Sequence, residues 1–308
     1  MSAPGLALTG GTGFYGRAIA QALVGSGWRV KALARRPNAA PAGVEVVHGD
    51  LRDPRALERL CAGVSAVVHC AGLVKALSRA EFFAVNAQAA GALAEIAARA
   101  GANRFVLISS LAARAPHLSD YAASKAEGER VVRATFGASG LVVLRPPAIY
   151  GPGDSEIPKL LGAARWGVIP AVSGRAGRVS LIHVADAARA VLAALEADAV
   201  AEPIELDDGR SGGYAWTDIA RVLGESLGRP VRAVPLPAGL LTGLGRLSGA
   251  LAAMRRRATI FTAGKAAELG HADWVARAET QAAIGPWRPS IDLAAGLETL
   301  TGVAGEGR

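Results

Sequence analysis

Along the first half of the chain, short apolar runs alternate with stretches in which apolar residues recur every three or four positions. The runs are Gly5–Thr9, Arg29–Ala34, Val44–His48, Ala66–His69, Arg104–Ser109 and Leu141–Leu144. Each is too short for a helix and mostly apolar, so together they read as the continuous apolar strands of a covered sheet. The stretches between them predict helices from about Tyr15 to Val24, Pro54 to Leu60, Ala80 to Ala100 and Ala122 to Thr135. Buried strands separated by helices make a parallel sheet covered on both sides, and right-handed crossovers make that sheet doubly wound. The predicted class is α/β. After Tyr150 the alternation loosens, and Pro and Gly become frequent. Val184–Leu195 and Thr217–Leu227 still predict helices, and Pro203–Leu206 a strand. The expected organisation is a core over 1–150 and a smaller substrate lobe over 151–308, with a segment near 178–206 returning to the core.

Composition narrows the function classes. Charged residues make up 19% of the chain and apolar residues 51%, a globular balance. The formal charge of +8 suits an anionic ligand. Lys and Arg are dispersed and aromatics amount to 5%, so no stacking platform for nucleic acid is expected. The dense basic run Arg255-Arg256-Arg257 reads as a solvated loop or helix end. Cys61 and Cys70 form no metal spacing and no disulfide framework, which predicts free thiols in a reducing cytoplasm. The five histidines show no paired spacing, and no metal is expected. No signal peptide is read before the first strand. No stretch reaches the roughly 20 uninterrupted apolar residues of a membrane span. The nearest, Leu236–Met254, is broken by Pro237, glycines and Arg246. It is expected to pack on the core of its lobe, with a greasy substrate cleft or contact with a membrane surface as the alternatives.

The first strand runs into Thr9-Gly10-Gly11-Thr12-Gly13-Phe14-Tyr15-Gly16, which opens the first helix. A tight turn needs the free φ of glycine, and close approach of backbone to a pyrophosphate needs the absence of a Cβ. The helix N-terminus then offers unpaired N–H groups and partial positive charge to the anion. Gly10, Thr12, Gly13, Phe14, Tyr15 and Gly16 are therefore the candidate cofactor loop. At the end of the second strand, where a carboxylate would take the ribose 2′-hydroxyl, stand Arg35 and Arg36. Arginine there suits a 2′-phosphate, so NADP is favoured over NAD. Asp50 and Leu51, after the third strand, are placed for the adenine edge, with a helix cap before Pro54 as the alternative for Asp50.

Tyr121 and Lys125 stand four apart at the start of the helix after the fifth strand, and so share one face. A lysine ammonium beside a phenol stabilises the phenolate, which brings proton exchange nearer neutral pH. Hydride transfer at a carbinol carbon needs such a proton partner. Ser110, at the end of the fifth strand, can bond the same substrate oxygen, and Lys125 can also hold the nicotinamide ribose.

These residues resemble the extended branch of the short-chain dehydrogenase/reductase superfamily, which includes epimerase/dehydratase-like members. The matching segments are Thr9–Gly16, Gly49-Asp50-Leu51, His69-Cys70-Ala71-Gly72, Asn86, Ser109-Ser110, Tyr121–Lys125, Leu144–Gly153, Ser180–Asp186 and Trp287–Leu297. The resemblance covers nearly the whole chain. It implies a Rossmann core, a bound NAD(P), and a Ser110-Tyr121-Lys125 catalytic group with Asn86 near the active site. It implies that Ala71 and Gly72 line the adenosine side and that Pro146 follows the sixth strand at the nicotinamide. Members of this branch are often homodimers.

The resemblance is less specific about substrate. Ser110 and Tyr121 are only eleven apart, Leu111-Ala112-Ala113 follows the serine, and Ala148 stands where many sugar-nucleotide enzymes carry Asn. No Asp-Glu pair follows Ser110. The expected function is thus a cytoplasmic NAD(P)-dependent oxidoreductase interconverting a hydroxyl and a ketone on a small or hydrophobic molecule. The alternatives are a nucleotide-sugar epimerase or dehydratase with tightly held NAD(P), and a non-catalytic cofactor-binding assembly subunit. His69, His183 and Asp186 read as packing or capping residues, and Arg178 as solvated or anion-binding.

Overall fold

All six apolar runs form strands: β1 (Gly5–Thr9), β2 (Arg29–Ala34), β3 (Glu45–His48), β4 (Ala66–His69), β5 (Arg104–Ile108) and β6 (Leu141–Arg145). They lie in the order β3-β2-β1-β4-β5-β6, and the short strand Ile204–Glu205 lies beyond β6. Neighbouring pairs from β3 to β6 run parallel. β1 sits centrally, with Leu6 beside Val30 on one side and Ala66 on the other. All five of its residues are buried, which is why its sequence shows no polar alternation. The chain order reverses between β1 and β4, and a doubly wound sheet opens its ligand crevice at that switch. This is a Rossmann fold.

The structure is a computed structural model that describes residues 3–36, 40–172, 177–198, 200–255 and 257–302. Arg256, in the middle of the basic run, lies outside them. The chain divides into two compact units. The first holds Met1–Arg145, Ala188–Ile204 and Glu279–Trp287, and the second Pro146–Ala187, Glu205–Ala278 and Arg288–Arg308.

In the first unit, α1 (Phe14–Gly25) follows β1, and α2 (Pro54–Cys61) follows β3. Asp53 caps α2 by accepting from Arg55 N–H at 3.0 Å. The cap is therefore Asp53 and not Asp50. Leu57, Leu60, Leu93, Phe105 and Leu141 share one hydrophobic core. The long helix expected over 80–100 is broken. It consists of α3 (Arg79–Phe83), a π-helical turn at Ala84–Gln88, and α4 (Ala89–Arg99). An extra residue in such a turn displaces the ladder of i→i−4 bonds. Here it brings the backbone of Asn86 against α5 (Asp120–Phe136), so close that a Cβ added at Gly128 would lie 2.2 Å from Asn86 O. No Gly or Pro marks that turn in the sequence, so the apolar spacing read as one helix.

The second unit packs Tyr150, Ile169, Tyr214, Ile219, Leu223, Leu293 and Leu297 into a core of its own. Its strands are two to four residues long, too short to leave a periodic signal. Leu236–Met254 yields a helix over Ala238–Met254. Asp186, fully buried, accepts the N–H groups of Ser290 and Ile291 at 3.0 and 2.8 Å. His183 is buried and accepts from Ala185 N–H at 3.3 Å. Arg178 donates to the carbonyls of Gly212 and Gly213 at 2.5 and 2.9 Å, which anchors that turn. Among the described residues, no helix is long and apolar enough to cross a membrane.

Candidate active site

The loop after β1 has the shape its glycines predict. Gly10 adopts φ +76°, and a Cβ added there would lie 2.6 Å from Ala71 N. Gly16 passes so close to the loop that an added Cβ would lie 1.9 Å from Gly10 O. Gly13 N–H donates to Gly10 O at 3.0 Å and closes the turn. Gly13 is also the N-cap of α1 and makes no side-chain cap, and no acidic residue stands in the first turn. That leaves the helix terminus open to an anion. Thr12 is exposed, Phe14 half-buried and Tyr15 buried. Burial holds the Tyr15 phenol well above its ordinary pKa, so Tyr15 serves as a neutral packing group. A Cβ at Gly10 or Gly16 would collide with backbone, so these two glycines shape a tight cradle of the kind that takes a phosphate.

The neighbouring loops complete the cradle. Thr9 Oγ1 lies 2.6 Å from His69 Nδ1 and accepts from Ala71 N–H at 3.3 Å. His69 is buried, and that burial, with the Lys125 charge adding to it, lowers its pKa to about 3. It is a neutral structural ring. Arg35 and Arg36 follow β2 directly and are exposed. Asp50 accepts from the backbone N–H and the Nε of Arg52, both at 3.0 Å. Those bonds, led by the backbone one, hold its carboxyl below the usual range, and the Arg35 charge contributes. Leu51 packs against the hydrophobic core of its unit.

The candidate proton-handling groups lie on α5 and on the turn after β5. Ser119 caps this helix, accepting from Ala122 N–H at 3.0 Å. The cap places Tyr121 and Lys125 in the first two turns. Lys125 is buried, and its Nζ donates to Ile108 O at 2.7 Å. Burial lowers its pKa to about 8, while Cys70 and Glu129 act in the opposite sense. Tyr121 is half-buried, with its ring edge-on to Phe82 at 6.1 Å between centroids. Ser110 caps the 3₁₀ turn Leu111–Arg114, and its Oγ accepts from Ala112 N–H at 3.2 Å. A hydroxyl that accepts one bond still has its hydrogen to donate.

Asn86 has a different place from the other predicted residues. Its Oδ1 accepts from Leu73 N–H at 2.7 Å, and its Nδ2 donates to Leu73 O at 3.0 Å and to Ser124 Oγ at 2.9 Å. Both ends of the amide are thus engaged. Asn86 ties the Gly72-Leu73 loop to α5. A Cβ at Gly72 would lie 3.1 Å from Asn86 Oδ1 and 3.8 Å from Lys125 Nζ. Gly72 thus brings the loop down over the lysine. Pro146 is buried and opens the second unit directly after β6.

The sequence reading missed Glu129. It is buried, accepts from the hydroxyl of Ser109, and receives a two-pronged bond from Arg145 at 2.9 and 2.6 Å. Its position four residues after Lys125, on the same face of α5, was the available signal. The pair fastens the end of β6 and the end of β5 to α5, behind Ser110 and Lys125.

Residues 6–206 match the model of the NAD dependent epimerase/dehydratase family, and the chain belongs to that family. It is an NAD(P)-dependent oxidoreductase of the extended short-chain dehydrogenase/reductase type, interconverting a hydroxyl and a ketone. A ceramide reductase from Caulobacter vibrioides (strain NA1000 / CB15N) is 47% identical over 275 residues, 87% of this chain and 85% of the relative. A 2-alkyl-3-oxoalkanoate reductase from Stenotrophomonas maltophilia (strain K279a) is 35% identical, covering 62% of this chain and 64% of the relative. The solved structure of MoeE5 in complex with UDP-glucose and NAD superposes with a TM-score of 0.73 at 23% identity, covering 98% of this chain and 99% of that chain. That last likeness is one of fold.

Proposed function

We propose that this chain is an NADP(H)-dependent ketoreductase acting on a long-chain lipid ketone of the ceramide type. The observation that carries the chemistry is the buried Lys125, fixed to Ile108 O one helical turn from Tyr121. The substrate class rests on the 47% identity to a ceramide reductase across most of both chains. In a ceramide skeleton the group such a site can reduce is the ketone form of a chain hydroxyl.

The bound cofactor supplies the hydride. Tyr121 gives a proton to the carbonyl oxygen as it becomes a hydroxyl, and the Ser110 hydroxyl donates a hydrogen bond to that oxygen. The Lys125 ammonium favours the phenolate that Tyr121 leaves behind and holds the nicotinamide ribose. Gly10, Gly13 and Gly16 cradle the pyrophosphate at the start of α1, with Thr12, Phe14 and Tyr15 shaping the loop. Asp50 and Leu51 border the adenine, Ala71 and Gly72 the adenosine, and Pro146 the nicotinamide. The exposed Arg35 and Arg36, with no carboxylate at the end of β2, support a 2′-phosphate and hence NADP.

The test is NADPH consumption with a ceramide whose chain hydroxyl has been oxidised to the ketone. Wild type turns it over, and Tyr121→Phe loses about 10²- to 10⁴-fold in kcat, the usual weight of a proton donor. Wild type that leaves this lipid untouched but interconverts UDP-glucose with its C4 epimer sinks the proposal in favour of an epimerase.

A further inference from the structure

The helix Ala238–Met254 carries a feature that the active site does not use. Leu240, Leu244, Leu247, Leu251 and Met254 are all exposed, between 42% and 81%. Their spacing of four, three, four and three places them within an arc of about 80° on the helix. One flank of the stripe is held by the chain itself. Leu241 is buried, and a Cβ added at Gly245 would lie 2.6 Å from Thr262 O, where the chain enters the helix Ala263–Gly270. Ser248 Oγ lies 3.4 Å from Thr259 Oγ1 on the same packed side. One side is thus fastened down while an unbroken apolar stripe faces outward. Large aliphatic side chains lined up in this way mark a contact surface.

The surrounding charge says what the stripe contacts. Between Ser226 and Gly264 the sequence has six basic residues and no acidic one, against a net charge of +8 for the whole chain. Arg246 lies on the flank of the stripe, Arg255 and Arg257 follow its end, and all three are exposed. A second copy of the chain would set this positive surface against itself, because a two-fold interface brings like patches together. An anionic lipid surface takes both features at once: leucines enter the acyl boundary, and arginines meet the phosphates. The helix has 17 residues, too short and too interrupted by glycine to span the bilayer. We infer that the Ala238–Met254 helix docks this chain onto the surface of an anionic lipid bilayer, lying in the plane of the headgroups. The inference rests on the helix and its charge, independently of the substrate proposed above.

The test is co-sedimentation with phosphatidylcholine vesicles, with and without about one lipid in four replaced by phosphatidylglycerol. Wild type is expected to pellet with the anionic vesicles at low salt and to be released as salt rises. Leu244→Asp/Leu247→Asp should weaken the partition at least about tenfold. Arg255→Ala/Arg257→Ala should weaken it roughly fivefold per arginine. Both positions in each pair are exposed, so the thermal transitions of these variants should match wild type. The arginine variant and the salt titration decide the matter if the aspartates upset the fold. The inference is overturned if wild type stays in solution with anionic vesicles, or if the arginine variant and high salt leave the partition unchanged. It is also overturned if wild type is a dimer that ignores vesicles and that Leu244→Asp/Leu247→Asp splits into monomers.

Discussion

Lys125 Nζ donates a hydrogen bond to the backbone carbonyl of Ile108 at 2.7 Å, tying the Tyr121–Lys125 face of α5 to the end of β5. The bond fixes where the ammonium sits, while burial brings its pKa down to about 8. Activity that depends on the charged lysine should therefore fall as pH rises through about 8, and Lys125→Met should remove that limb along with most of kcat. Stability moves the other way. The folded pKa lies below the ordinary lysine value of 10.5, so the unfolded chain binds more protons between the two values. Wild type should gain stability relative to Lys125→Met as pH rises through that window. Urea unfolding of both proteins at two pH values measures it.

Arg35 should select the cofactor. Arg35→Asp is expected to weaken NADP binding by about tenfold to a hundredfold, the worth of a lost charge-assisted bond, and to improve NAD binding. Fluorescence titration with both cofactors measures it. A wild type that prefers NAD would refute the role given to this residue.

The glycines of the phosphate loop should separate into two kinds. At Gly16 an added Cβ meets Gly10 O at 1.9 Å, whereas at Gly13 it meets the same atom at 3.4 Å, an ordinary contact. Gly16→Ala should cost about 2 kcal/mol or more and abolish cofactor binding. Gly13→Ala should fold with nearly wild-type stability, and any loss should appear in cofactor affinity. Thermal denaturation with and without NADPH tells the two apart.

The Glu129–Arg145 pair is buried, with side-chain exposures of 9% and 13%. Glu129→Gln removes the charge that balances Arg145 in a buried setting and should cost about 3–5 kcal/mol. Replacing both, as Glu129→Gln/Arg145→Met, should recover part of that cost. Denaturant unfolding of both variants tests the coupling.

His69 should shape the acid limb of stability. Its pKa falls from 6.5 to about 3 on folding because the ring is buried. As pH drops through that window the unfolded chain takes up a proton that the folded one refuses, so stability is lost toward acid. His69→Asn can still bond Thr9 but cannot titrate. The difference in unfolding free energy between the two proteins should therefore shift steadily between pH 6.5 and 4, measured by urea unfolding.

The sequence by itself determined the sheet, the glycine turn after β1 and the placing of Tyr121 and Lys125 on one face of α5. These signals are local: an unbroken apolar run can be buried only on both faces, glycine is required where φ turns positive, and a spacing of four is one helical turn. Tertiary structure decided the rest, because it turns on partners distant along the chain. Asn86 has the composition of any helix residue, and only the π turn and the approach of Gly128 direct it to Leu73 and Ser124. Glu129 reads as a solvated charge until β6 brings Arg145 to it. Short strands such as Arg178–Val179 exist only through their neighbours, Tyr214–Ala215 and Asp273–Trp274. The leucines of Ala238–Met254 are apolar in either setting. Which of them packs inward and which faces out was settled by where the Thr259–Gly270 segment lies against the helix, since periodicity names a stripe but not what covers it.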